Sequence, residues 1–161
     1  MTNADAIANQ SITSEQAINE LIEEAPSSHV DVIQTVIASL EQGDSAMVSH
    51  TEAAYLWKFK YGSVEVFVQL TGLTDDDTIS VWAQVLNLPT KNDAGLMRKL
   101  LEMNWTNTFE ACFGIFNEQV VVLSSRTLAE LSPGEISRII TIVATIADDN
   151  DEALQAEFGA A

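Results

Sequence analysis

The sequence predicts a single α+β domain in which helices pack mainly on one face of an antiparallel sheet. Segments with apolar residues three and four apart, typical of amphipathic helices, alternate with segments in which every second residue is apolar, typical of strands. The strand-like segments follow one another through links short enough for hairpins, which favours antiparallel neighbours. The chain has 161 residues, 47% of them hydrophobic, which suits one packed domain.

The expected order of elements is α-β-β-β-α-β-β-α. We interpret residues 1–27 as a flexible N-terminal segment, in which Ser14 can cap a short helix before Pro26. The apolar stripe of that helix would be Ala17, Ile18, Leu21 and Ile22. Residues 28–161 are expected to form the single domain.

The domain is predicted to begin with a helix and a group of strands. Ser28 caps a helix over residues 29–42 that Gly43 closes, and residues 46–50 form a short strand or the lead-in to one. Alternation over 54–61 and 64–70 then predicts a hairpin that turns at Tyr61-Gly62-Ser63. A third strand over 78–88 follows the acidic turn Asp75-Asp76-Asp77 and ends at Pro89.

The second half is predicted to contain a helix, a hairpin and a final helix. Asn92 caps the helix, and the hairpin over 109–116 and 120–125 turns at Asn117-Glu118. The final helix begins at Ser132-Pro133-Gly134-Glu135, which combines a capping hydroxyl, a proline at the first helical position and a glutamate at the third. Its apolar stripe runs to Ala147, and residues 148–158 are expected to continue beyond it as an acidic tail.

Charge and targeting features narrow the choice of partners. A net charge of −17 disfavours nucleic acid and anionic membrane surfaces, while it could either steer basic partners or only keep the protein dispersed. We expect a cytoplasmic protein, because we find neither a signal peptide nor an uninterrupted apolar run long enough to span a bilayer. Cys112, the only cysteine, fits a reducing compartment and is expected to be a buried thiol.

We expect no catalytic site, no metal site and no cofactor. The two histidines, His29 and His50, accompany no nucleophile motif, and none of the glycines forms a phosphate-binding loop. Residues 148–152 lack the glycine and the distal glutamate of a calcium loop, so a solvated helix end is the better interpretation. Residues 75–77 are interpreted as a polar hairpin turn.

An aromatic row in the first hairpin has two interpretations. Tyr55, Trp57, Phe59 and Tyr61 alternate with Leu56, Lys58 and Lys60. The row could pack in the core, or it could form a client or dimer surface.

The second half contains five short motifs in order: Leu100-Leu101-Glu102-Met103-Asn104, Gly114-Ile115-Phe116, Val121-Val122-Leu123, Arg126-Thr127-Leu128, and Leu131-Ser132 with Glu135. With these motifs the chain resembles the YbjN family. The resemblance covers about residues 52–151.

The resemblance implies a fold like that of type III secretion chaperones and a non-enzymatic regulator of sensory transduction, commonly a homodimer. Chaperones of that kind dimerise around the middle helix and bind an extended client segment over the sheet. The candidate interface residues are then Tyr55, Trp57, Phe59, Leu96, Met97, Leu100 and Trp105. We expect a chaperone-like or regulatory adaptor with an unidentified protein partner; a small-ligand or divalent-metal sensor that uses the acidic turns is the alternative.

Overall fold

A computed structural model describes residues 28–43, 47–51 and 54–160 of the chain. The short N-terminal helix considered from the sequence lies outside these residues. The described helices are α1 His29–Leu40, α2 Asp93–Thr106 and α3 Pro133–Phe158, and the strands are β1 Met47–His50, β2 Tyr55–Tyr61, β3 Val64–Leu70, β4 Thr78–Asn87, β5 Cys112–Phe116 and β6 Gln119–Thr127.

The strands form one six-stranded sheet in the order β1-β2-β3-β4-β6-β5, and every neighbouring pair is antiparallel. The predicted fold class is therefore confirmed. The sheet has six strands, one more than the predicted order of elements. That strand is β1, at the site where the sequence allowed either a short strand or a lead-in, and it pairs with β2 from Met47↔Lys58 to His50↔Tyr55.

The predicted turns and caps determine where the elements begin and end. Ser28, Asn92 and Ser132 cap the three helices, and Ser132 and Glu135 form the predicted reciprocal capping box. Asn117 and Glu118 both have positive φ angles, 48° and 58°, as a two-residue hairpin turn with the twist of the flanking strands requires.

The core lies between one face of the sheet and the helices. α3 crosses β2, β3, β4 and β6, and α1 packs beside it, so both helices cover the same sheet face. The buried side chains of the central strands alternate with half-buried or exposed ones, as expected for a sheet covered on one side. The opposite face of the sheet is open.

The prediction of an acidic tail after Ala147 is wrong. α3 continues to Phe158, because Asp151, Leu154 and Phe158 extend the buried stripe at helical spacing. Asp151 is buried there because it lies against the β2–β3 turn, where Ser63 Oγ is 2.7 Å from Asp151 Oδ2. Asp148 accepts the backbone N–H of Ser63 at 2.8 Å, so the acidic residues join α3 to the sheet instead of ending it.

Candidate protein-binding surfaces

Two residues of the predicted aromatic row belong to the core. Trp57 and Phe59 are 3% and 1% exposed, and they lie on the sheet face that the helices cover. Tyr55 is half-buried and stacks on Trp57 with ring centroids 5.5 Å apart. The sequence allowed either core packing or an exposed surface. Trp57 and Phe59 pack in the core, and the prediction of an exposed surface made by them is wrong.

The predicted residues of the middle helix divide between its two sides. Leu96 and Leu100 are buried and Met97 is half-buried against the core, so these three side chains hold α2 to the domain. Trp105 lies on the outer side and is 91% exposed. A contact between this helix and another chain stays a prediction, and Trp105 is the one predicted residue of α2 that is free to make it.

Two further exposed apolar residues lie within four positions of Trp105 in the sequence. Leu101, one helical turn earlier, is 70% exposed, and Phe109, three residues after the end of α2, is 81% exposed. We call Leu101, Trp105 and Phe109 the α2 patch. Leu101 lies four residues before Trp105, so the two side chains are on the same, outer side of α2.

A side chain of α2 fixes this helix against the edge of the sheet. Asn104 accepts the backbone N–H of Phe113 at 2.6 Å and donates to the Phe113 carbonyl at 3.2 Å. Phe113 is on β5, the last strand of the sheet, and these two groups point away from β6. The amide thus supplies the pairing that a seventh strand would otherwise give at this point, and it fixes the position of the α2 patch.

The open face of the sheet carries a cross-strand row that the sequence analysis did not identify. Lys58, Phe67, Trp82, Leu123 and Cys112 are successive register partners from β2 to β5. Phe67 and Trp82 stack with ring centroids 5.3 Å apart, and Lys58 Nζ lies 5.7 Å from the centroid of Phe67. We call these five residues the open-face row.

One further aromatic ring and two pairs of polar side chains lie beside the open-face row. Phe116 packs edge-on against Trp82, with centroids 6.0 Å apart. Hydrogen-bonded side chains flank the aromatic residues: Ser80 with Ser125 at 2.9 Å, and Gln84 with Gln119 at 2.6 Å. In the sequence, Phe67 and Trp82 occupy the strand positions that alternate with the buried residues of β3 and β4. These alternating positions were the signal for this surface.

Cys112 is exposed, which contradicts the prediction of a buried thiol. The apolar run around it suggested burial, but its register partner Leu123 places it on the open face of the edge strand β5. Edge position and open face together leave the thiol accessible.

Acidic side chains of both clusters form hydrogen bonds within the domain. Asp77 accepts hydrogen bonds from the side chain and backbone of Thr74 and from Thr71, and these bonds hold the pKa of its carboxyl below the usual 3.8. Asp148 and Asp151 contact Ser63 as described above. Within residues 28–43, 47–51 and 54–160, no group of three or more His, Cys, Asp or Glu side chains has the geometry to hold a metal ion.

A cleft of about 430 Å³ lies at the end of the sheet near the β2–β3 turn, and its lining includes Glu65, Gln84, Asn87, Asp151 and Gln155. It does not involve the 75–77 turn, which the alternative sensor hypothesis used. In the described part of the chain, no helix combines the length and the apolar character needed to cross a bilayer.

Comparisons with known proteins agree on the fold. In the solved structures, a chain from the crystal structure of the ExsC-ExsE complex superposes with a TM-score of 0.54, at 16% sequence identity, over 76% of this chain and 90% of that one. This match supports the secretion-chaperone-like architecture and does not extend to function. No curated protein matches the chain. The family model of YbjN, described as "Putative bacterial sensory transduction regulator", matches residues 29–156, and the chain therefore belongs to the YbjN family.

Proposed function

We propose that this protein is a non-enzymatic regulatory adaptor of the cytoplasm, which forms a homodimer and binds a protein partner. The observation that carries the proposal is the exposure of Trp105, 91%, together with Leu101 and Phe109. Large apolar side chains grouped on a surface are typical of protein interfaces, where tryptophan contributes a disproportionate share of the binding energy. The family description and the solved complex of the structural relative support a protein-binding role.

We assign the α2 patch to self-association. Leu101 and Trp105 are one turn apart on one helix, so a second copy of α2 can pack against them in the symmetric arrangement that most dimers adopt. Light scattering at micromolar concentration tests this assignment, and the mass of a monomer for the wild-type chain would contradict it.

We assign the partner to the open face of the sheet. The open-face row offers stacked aromatic rings beside hydroxyl and amide groups, the combination of apolar centre and polar surroundings found in protein interfaces. Among the described residues, the main helix contacts of β2, β3, β4 and β6 are made by α3, which lies on the other face of the sheet, and Phe67, Trp82 and Leu123 are half-buried.

Affinity capture from the native lysate tests partner binding. The tagged wild-type chain, Trp82→Ser and Trp105→Ser are compared, with elution in rising salt and identification by mass spectrometry. We expect specific proteins to be retained by the wild type and by Trp105→Ser and to be lost with Trp82→Ser. Equal retention by wild type and Trp82→Ser, or no retention above a tag-only control, would contradict the assignment.

The non-enzymatic character is part of the proposal. His29 Nε2 lies 3.4 Å from the carbonyl oxygen of Leu131, and the ring of His50 lies 4.3 Å from that of Tyr55, so both imidazoles have structural neighbours. The alternative, a sensor of small ligands or divalent metals, predicts saturable calcium binding with a higher melting temperature.

A further inference from the structure

The cleft near the β2–β3 turn, which we call the end cleft, lies where β3 and β4 separate. Register pairing between these two strands stops at Val66↔Ala83, and a bulge interrupts the pairing of β4 with β6. Val85, at the bulge, has no register partner on either neighbouring strand, and its carbonyl accepts the side-chain Nε2–H of Gln155 on α3 at 3.1 Å. The strand ends and α3 border a volume of about 430 Å³, which is in the size range of small-ligand sites.

The lining of the end cleft is rich in hydrogen-bond acceptors. Among the described residues that line it, two are carboxylates, Glu65 and Asp151, and none is a lysine, arginine or histidine. Three side-chain amides, those of Gln84, Asn87 and Gln155, complete the polar part of the lining together with the Ser63 hydroxyl. The amides of Gln84 and Gln155 each donate a hydrogen bond, and their oxygens accept none from a described residue. The end cleft therefore offers negative charge and acceptor atoms to a ligand.

Asp151 is the only buried charged side chain of the described residues. It is 5% exposed, and its two oxygens accept hydrogen bonds from neutral donors, Ser63 Oγ at 2.7 Å and the backbone N–H of Glu152 at 2.8 Å. The ion pairs of the described residues use other carboxylates, including Glu65, which pairs with Lys58. Because buried carboxylates are rarely left without a cation, Asp151 is the group of the end cleft that a positively charged ligand would complete.

We propose that the end cleft binds a small organic cation with several N–H donors, an alkylammonium or guanidinium compound. The charged group of the ligand donates to Asp151, and the amide oxygens of Gln84 and Gln155 accept its remaining hydrogens. The field of a chain with a net charge of −17 raises the concentration of cations near the cleft. The end cleft shares no residue with the α2 patch or the open-face row, so this proposal does not rest on the proposed function.

Butylguanidinium is the probe for this site, and tetramethylammonium is the control cation, because it has the same charge and no hydrogen-bond donor. Each is titrated into the isotope-labelled full chain, and the amide NMR signals report both the affinity and the place of binding. We expect butylguanidinium to cause saturable shifts centred on the residues that line the end cleft. Tetramethylammonium should bind at least about tenfold more weakly, because hydrogen bonds to charged groups are lost.

Two asparagine variants separate the site from the general field of the protein. Asp151→Asn removes the buried charge at nearly constant shape and is expected to weaken butylguanidinium binding at least about tenfold. Asp149→Asn removes the same charge from an exposed position of α3 outside the lining, where salt screens it, and should change the affinity by no more than about twofold. Circular dichroism checks that both variants are folded.

A third variant tests the site without altering a buried group. Asn87 is exposed and lines the end cleft, so Asn87→Trp is expected to leave the melting temperature nearly unchanged and to abolish binding by filling the cleft. No saturable shift in the wild type would overturn the proposal, as would equal affinities of Asp151→Asn and Asp149→Asn or unchanged binding by Asn87→Trp.

A blocked arginine, N-acetylarginine methylamide, distinguishes two sources of the same charged group. Tighter binding of this compound than of butylguanidinium would support the site and assign it to an arginine side chain of another protein, whereas weaker binding would support a free small molecule. Trp82→Ser, which tests the proposed partner surface, should bind butylguanidinium as the wild type does, because Trp82 does not line the end cleft. Each of the two proposals can therefore fail without the other.

Discussion

Replacement of Asn104 by alanine is expected to destabilise the protein through the junction between α2 and the edge strand β5. The substitution removes the bonds of 2.6 and 3.2 Å to the backbone of Phe113, which is itself nearly inaccessible to water. Each such bond contributes about 1 kcal/mol, and an unpaired buried group adds to the loss, so the free energy of unfolding should fall by about 2–3 kcal/mol. For a domain of this size, about 2–4 °C per kcal/mol predicts a melting temperature lower by about 4–12 °C.

The matched control is Glu102→Ala. Glu102 is on the exposed side of the same helix, where it pairs with Arg98 at 3.0 Å, and an exposed pair of this kind contributes at most about 0.5 kcal/mol. Alanine improves helix propensity more when it replaces asparagine than when it replaces glutamate, so a larger loss of stability in Asn104→Ala reports the contact with Phe113. Thermal unfolding followed by circular dichroism measures both. Similar melting temperatures for the two variants would refute the role assigned to Asn104.

Three further predictions concern the carboxylates. The pKa of Glu135 is lowered from 4.5 to about 2 by the backbone N–H of Ser132 and then by Arg126, so its stabilising effect is present above pH 4.5 and disappears as the pH falls towards 2. The difference in melting temperature between wild type and Glu135→Gln should shrink over that range, and a constant difference would contradict it. Ser63→Ala removes the hydroxyl beside the buried Asp151 and should lower the free energy of unfolding by about 1–2 kcal/mol in urea titrations; an unchanged midpoint would count against the contact. Calcium should leave the melting temperature unchanged, and a saturable rise would favour the sensor hypothesis.

Local signals in the sequence predicted most of the fold. The caps at Ser28, Asn92 and Ser132, and the turn at Asn117-Glu118, are set by residues within a few positions of one another, so a single sequence contains the necessary information. The end of α3 was missed because Asp151 is buried by a residue far away in sequence, Ser63.

The candidate surfaces were predicted less well, because they depend on which side of each element the rest of the chain covers. Alternation separated Trp57 and Phe59 from Lys58, but only the position of α3 shows that the tryptophan side is the core. For the same reason Cys112, in an apolar run, was expected to be buried, although it lies on the open face of an edge strand. Of the predicted interface residues on α2, only Trp105 is largely exposed.

Protein contact through exposed apolar side chains is tested most directly by light scattering of the wild-type chain, Trp105→Ser and Trp82→Ser at the same micromolar concentration. The chain has a mass of 17.5 kDa, so the wild type and Trp82→Ser are expected to give about twice that mass, and Trp105→Ser the mass of one chain. A wild-type monomer, or a dimer that survives Trp105→Ser unchanged, would contradict a protein-binding role for the most exposed tryptophan of the molecule.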